Sequence, residues 1–82
     1  VDHSEAHIRL NRLLDGTTCG ATTEERTSGD LLHYCGVTVT RWPRMGQILM
    51  APKIVYKANH STWEEAYDAC VAWVEAELAS VQ

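Results

Sequence analysis

The chain has 82 residues, 45% of them hydrophobic and 22% charged, with a formal net charge of −4. That length supports one core that buries roughly 60% of the unfolded surface, and it excludes two domains. The composition excludes a disordered tail, a collagen and a disulfide scaffold, and the longest apolar run, residues 69–74, is far short of the roughly 18 residues that a bilayer span needs.

The first element is a short amphipathic helix over about residues 3–14. Asp2 and Glu5 form a capping box, Ala6, Leu10, Leu13 and Leu14 recur at helical spacing, and Asp15-Gly16 supplies the stop. Residues 17–30 are rich in Thr, Ser and Gly without a clear period, which admits either a loop or an edge strand around Cys19 to Thr27. From Leu31 the pattern alternates, with Leu31, His33, Cys35, Val37 and Val39 on one face and Leu32, Tyr34, Gly36, Thr38 and Thr40 on the other, as a strand requires. Trp42-Pro43-Arg44-Met45-Gly46 reads as a hairpin loop, and a second strand is expected to return over 47–58. Its Pro52 lacks the N–H that a ladder uses, so that strand belongs at an edge or carries a bulge.

The last element is a helix opened by a capping box at Ser61-Thr62-Trp63-Glu64. Trp63, Tyr67, Cys70, Val74, Leu78 and Val81 follow at spacings of three and four and form its buried stripe, with Glu64, Asp68 and Glu75 as an acidic stripe beside it. Trp73 falls at the far edge of the apolar face, as a border core residue or an exposed anchor. The expectation is a single α+β domain over residues 1–82. Its small antiparallel sheet, a hairpin or three strands, packs against an N-terminal and a C-terminal helix.

Charge is segregated along the chain. Residues 1–30 sum to −3, residues 31–60 carry Arg41, Arg44, Lys53 and Lys57 without an acid, and residues 61–82 carry five acids without a base. Separate elements then present faces of opposite sign. Three cysteines, Cys19, Cys35 and Cys70, leave one unpaired in any disulfide scheme, and none sits in a CxxC. With an opening that lacks a basic stretch followed by an apolar run, this predicts a reducing, cytoplasmic setting.

Sites with chemistry are sparse in the sequence. His3 and His7 stand at i, i+4 around Glu5 but do not make HExxH. Cys19, His33, Cys35, His60 and Cys70 form a Cys/His zinc site only if folding gathers them, since no close cysteine pair is present. No GxSxG and no Gly-rich loop before a helix appears, so neither a catalytic residue, a metal nor a cofactor is expected. The most suggestive stretch interleaves bases with aromatics: Arg41, Trp42, Arg44, Lys53, Tyr56 and Lys57. These residue types are enriched at protein hot spots, and four bases are few for a phosphate track.

The element order resembles that of the double-stranded-RNA-binding domain, helix, three strands, helix. That family grips RNA with a basic start to its final helix. Here that helix begins Ser61-Thr62-Trp63-Glu64-Glu65, which repels phosphate. In size, acidity and element order the chain also resembles small accessory proteins that bacteriophages encode against host defences, including anti-CRISPR proteins. That resemblance implies a non-catalytic inhibitor that binds another protein or a nucleoprotein complex and occludes it sterically, with no membrane involvement. Two other readings stand beside it, a small nucleic-acid-binding or regulatory protein using the basic aromatic hairpin, and a zinc-stabilised fold.

Overall fold

The computed structural model describes residues 1–27 and 33–78. Helix α1 spans His3–Leu13 and is followed by strands β1 (Cys19–Thr27), β2 (His33–Arg41), β3 (Arg44–Met45), β4 (Ile48–Leu49) and β5 (Lys53–His60). Helix α2 covers Trp63–Trp73 and widens into a π-helical turn at Val74–Leu78. β1, β2 and β5 form one antiparallel sheet with β2 in the centre, while β3 and β4 make a separate two-stranded ribbon. No helix among the described residues is long and apolar enough to cross a membrane.

The sheet has one covered face. Alternation along β2 sends Cys35, Val37 and Val39 inward, all at 1% exposure or less, and the register places Ala21 of β1 and Tyr56 of β5 beside Val39. Helix α1 packs on β1, α2 packs on β2 and β5, and the helices touch each other. They contribute Ala6, Leu10 and Leu14, and Trp63, Ala66, Cys70 and Val74. Alanine at the fully buried positions 6 and 66 lets the helices come close to so thin a sheet.

Local chemistry sets the element ends. Asp2 Oδ1 accepts from the Glu5 N–H at 2.8 Å, as the first capping box predicts. The second cap lies one residue later than the sequence motif implies: Thr62 is the N-cap and accepts from the Glu65 N–H at 3.2 Å. The ambiguous stretch after α1 is an edge strand, since β1 pairs along its whole length with β2 and with no other strand of the sheet. Asn11 protects the outer edge, with Oδ1 accepting from Ala21 N–H and Nδ2 donating to Ala21 C=O, both at 3.0 Å. One amide thus satisfies backbone groups that would otherwise invite another strand.

Three expectations need correction. The return strand is not continuous over 47–58. Residues 44–49 fold back on themselves as β3–β4, closed by Gly46 at φ +64° and by the Met50 N–H donating to Pro43 C=O at 2.8 Å, and the sheet resumes only after Pro52. Pro52 has no donor for a ladder, so it stands between the two pieces. Leu13 is 40% exposed, because α1 turns Ala6, Leu10 and Leu14 inward and that face leaves Leu13 outside. On α2, Ala66 joins the buried set and Tyr67 is only half-buried. Beyond Val74 the π turn ends the regular 100° step on which the predicted stripe rests. The side chain of Leu78, and Leu31 and Val81 altogether, lie outside the described residues. Trp73 is settled as a border core residue, stacked on Tyr56 with ring centroids 5.1 Å apart.

Val74→Asp places an unpaired charge in this core and is expected to unfold the domain, a loss of about 3–5 kcal/mol. Exposed Glu75→Lys stays within about 0.5 kcal/mol. Urea melts of the two variants check the contrast, and equal effects contradict the orientation of α2.

Candidate functional site

The basic aromatic residues fall in two groups. Arg41 ends β2, Lys53 begins β5, and the register sets them directly opposite each other. Like charges in that position repel. Neither has an acidic partner among the described residues, whereas Arg9 is paired with Glu5 and Arg26 with Glu24. The pairing follows from an irregularity: Val39 opposes Tyr56 while Thr40 opposes Ile54, so Val55 is an extra residue without a partner. A bulge of this kind bends its strand and re-aims the following side chains. Without it, Arg41 would face Ile54.

The chain between and just after these two residues is rich in exposed apolar side chains. Of the eight exposed large hydrophobic residues described, Trp42, Ile48, Met50, Ile54 and Val55 all belong to residues 42–55, with Ile48 and Ile54 more than 60% exposed. Trp42 is anchored as well as exposed. Its N–H donates to Thr18 C=O at 2.9 Å, and its ring lies over Gly20, where a Cβ would come within 3.0 Å of it. The backbone of Arg44 pairs with Leu49 in the β3–β4 ribbon, and its side chain lies outside what the structure describes.

Tyr56 and Lys57 do not join this group. Tyr56 faces the helices, half-buried against Trp73, and burial, with Cys70 nearby, pushes its phenol up. Lys57 points to the uncovered face of the sheet, where it lines a shallow cleft of about 200 Å³ with Glu24, Arg26, Tyr34, Gly36 and Asn59. Gly36 makes room there, since a Cβ would approach Asn59 Oδ1 to 2.7 Å. Glu64 and Asp68 are exposed on α2, and Glu75 is exposed in the π-helical turn that follows it. Glu64 receives the ammonium of Val1, and that hydrogen bond holds its carboxyl below the usual range.

The histidines and cysteines sort differently from their sequence spacing. His3 and His7 both hydrogen-bond the Thr23 hydroxyl, at 2.8 and 3.3 Å, so their i, i+4 pair converges on an alcohol. Cys19 and Cys70 stand apart from the other candidate ligands, Cys70 fully buried on α2. Glu25, which the sequence reading passed over, stands opposite Cys35 in the β1–β2 ladder and accepts from His33 Nε2 at 2.6 Å. That hydrogen bond holds the Glu25 carboxyl below its ordinary range, aided by Trp63. The alternating His33 and Cys35 were the only local signal of this cluster, and the third member is visible only through strand register.

Compared with known protein families, curated proteins and solved structures, the chain matches none.

Two outcomes follow from this geometry. Lys53→Glu turns the repulsive cross-strand pair into an attractive one and is expected to stabilise the fold by about 0.5 kcal/mol in urea melts. A loss of stability contradicts the bulged register. Burial pushes the Cys70 thiol up to about 11 and raises that of Cys35, so a thiol reagent at pH 8 is expected to label half-exposed Cys19 rapidly and the other two only on unfolding.

Proposed function

We propose that this chain is a non-catalytic binding module that docks the end of its sheet carrying Arg41, Trp42 and Lys53 onto an acidic surface of another protein and acts by steric occlusion. The observation that carries the reading is the unneutralised Arg41–Lys53 pair at one end of the sheet, joined by a stretch, residues 42–52, and followed by two strand residues that together expose five large apolar side chains. Both features are unfavourable in water. A partner with an apolar centre and acidic rim relieves both at once, burying the side chains and supplying counter-charge. Trp42 is a suitable anchor because its ring is already held against Gly20, so less side-chain entropy is lost on docking.

Catalysis fits the molecule poorly. The cysteine nearest a histidine and a carboxylate, Cys35, is fully buried, which keeps substrates from its sulfur. If the likeness to phage anti-defence proteins extends to function, the occluded partner is a nucleic-acid-handling complex. The acidic stripe of α2 then faces away from, or imitates, the phosphates that complex normally holds.

The test compares the tagged wild-type chain with the double variant Arg41→Glu/Lys53→Glu in pull-downs from host lysate, followed by pairwise affinity measurement on the captured protein. The expected result is a discrete protein partner whose Kd worsens at least tenfold in the double variant, about 1.4 kcal/mol, while Arg9→Gln/Arg12→Gln leaves it unchanged. Circular dichroism confirms that each variant is folded. A salt-dependent shift of labelled RNA or DNA without any protein partner overturns the reading in favour of nucleic-acid binding. Sensitivity confined to Glu64, Asp68 and Glu75 moves the site to α2.

A further inference from the structure

We infer that Glu25, His33 and Cys35 bind one divalent transition-metal ion, Zn2+ by the chemistry of the donors, at the end of β2 opposite the proposed docking surface. The sequence argued against a metal because it has no close cysteine pair. Strand register supplies what spacing lacks. Glu25 of β1 lies opposite Cys35 of β2, and His33 lies two residues from Cys35 on the same face. A carboxylate oxygen, a ring nitrogen and the sulfur of these three residues lie within 4.8 Å of one another.

A tetrahedral zinc ion with bonds of about 2.0–2.3 Å holds its donors about 3.3–3.8 Å apart, so the sulfur and the other two donors have to approach by up to roughly 1 Å while His33 Nε2 and Glu25 Oε1, now 2.6 Å apart, open to admit the ion. The freedom to do so is present. The side chains of Glu25 and His33 are 40% and 45% exposed and move readily, whereas Cys35 is fixed by complete burial. The ion then sits at the boundary of the core, with sulfur as its inner donor and a water completing the tetrahedron. Thiolate, imidazole and carboxylate together suit Zn2+ and disfavour Mg2+ and Ca2+, which prefer oxygen alone. On binding, the Cys35 thiol passes its proton to solvent and the sulfur bonds the metal. Its present contact, a donation to Ser61 C=O at 3.9 Å, is long and easily given up.

Two neighbours fit an outer shell. His3 places Nδ1 3.6 Å from Glu25 Oε2, while its Nε2 is hydrogen-bonded to Thr23 and its ring stacks on Trp63 with centroids 4.5 Å apart. Trp63 is 7% exposed and its Nε1 is buried without a hydrogen-bond partner. A carboxylate drawn inward by an ion gives that N–H the acceptor it lacks, and such second contacts are what orient metal ligands. The ion would staple β1 to β2 next to their connection and leave the Arg41 end untouched, so the two sites stand or fall separately.

The test titrates the purified, metal-stripped full chain with Co2+ as a spectroscopic probe and then displaces it with Zn2+. One equivalent is expected, with a thiolate-to-cobalt absorption that disappears in Cys35→Ser, weakens at least tenfold in affinity in His33→Gln and in Glu25→Gln, and persists in Cys19→Ser, Cys70→Ser and His7→Gln. The exposed positions of Glu25 and His33 keep those two variants folded, so the test holds even if Cys35→Ser unfolds. Absence of the thiolate band in the wild type, or binding unchanged in both His33→Gln and Glu25→Gln, overturns the inference.

Discussion

Strand β2 is hydrogen-bonded along both edges but covered on only one face, and this asymmetry governs the rest of the molecule. Cys35, Val37 and Val39 are the buried side chains of the central strand, and both helices gather over the face that carries them, α1 on β1 and α2 on β2 and β5. The helices leave the other side of the sheet uncovered. That uncovered face therefore carries the residues that tolerate water: Thr22 and Thr38 across from each other, Arg26 paired with Glu24, and Lys57 beside Asn59. The single core runs out at the two ends of β2, where the proposed docking surface and the proposed metal site lie.

The two ends differ in kind. At the Arg41 end a one-residue bulge at Val55 sets two cations against each other, and the chain that follows exposes large apolar side chains. Like charges directly opposite lower local stability, and the proposed docking would relieve that repulsion by supplying counter-charge. At the Cys35 end the sheet runs beneath the start of both helices, where His3, Glu25, His33 and Trp63 meet in contacts from hydrogen bonds to ring stacking. Polar groups converge there at the edge of a low-dielectric core, which strengthens their interactions with one another. About seven residues of extended strand separate the ends, so neither disturbs the other.

The candidate surface was legible in part. Interleaved bases and aromatics pointed to Arg41, Trp42 and Lys53, and these do gather. Tyr56 and Lys57 look equivalent to them in sequence but leave in opposite directions, because consecutive strand residues point to opposite faces and the bulge shifts that alternation by one. The reverse case, residues from separate strands that meet, is Glu25 with Cys35. No window of ten residues contains both a reason to pair them and the register that does so.

What the sequence by itself determined is the class of the fold and the character of its elements. Two capping boxes, two apolar periods and one alternating strand demand helices at both ends with antiparallel strands between, because those signals depend only on neighbours within a few residues. It also determined the segregation of charge, which needs no structure to read. Tertiary structure alone decided that residues 19–27 are an edge strand sealed by Asn11, that the chain folds a ribbon at 44–49 before β5 begins, and which side chains oppose one another. Those outcomes rest on hydrogen bonds between distant segments and on a single extra residue at Val55. A one-residue change in register leaves every local signal unchanged and still exchanges the faces on which side chains meet.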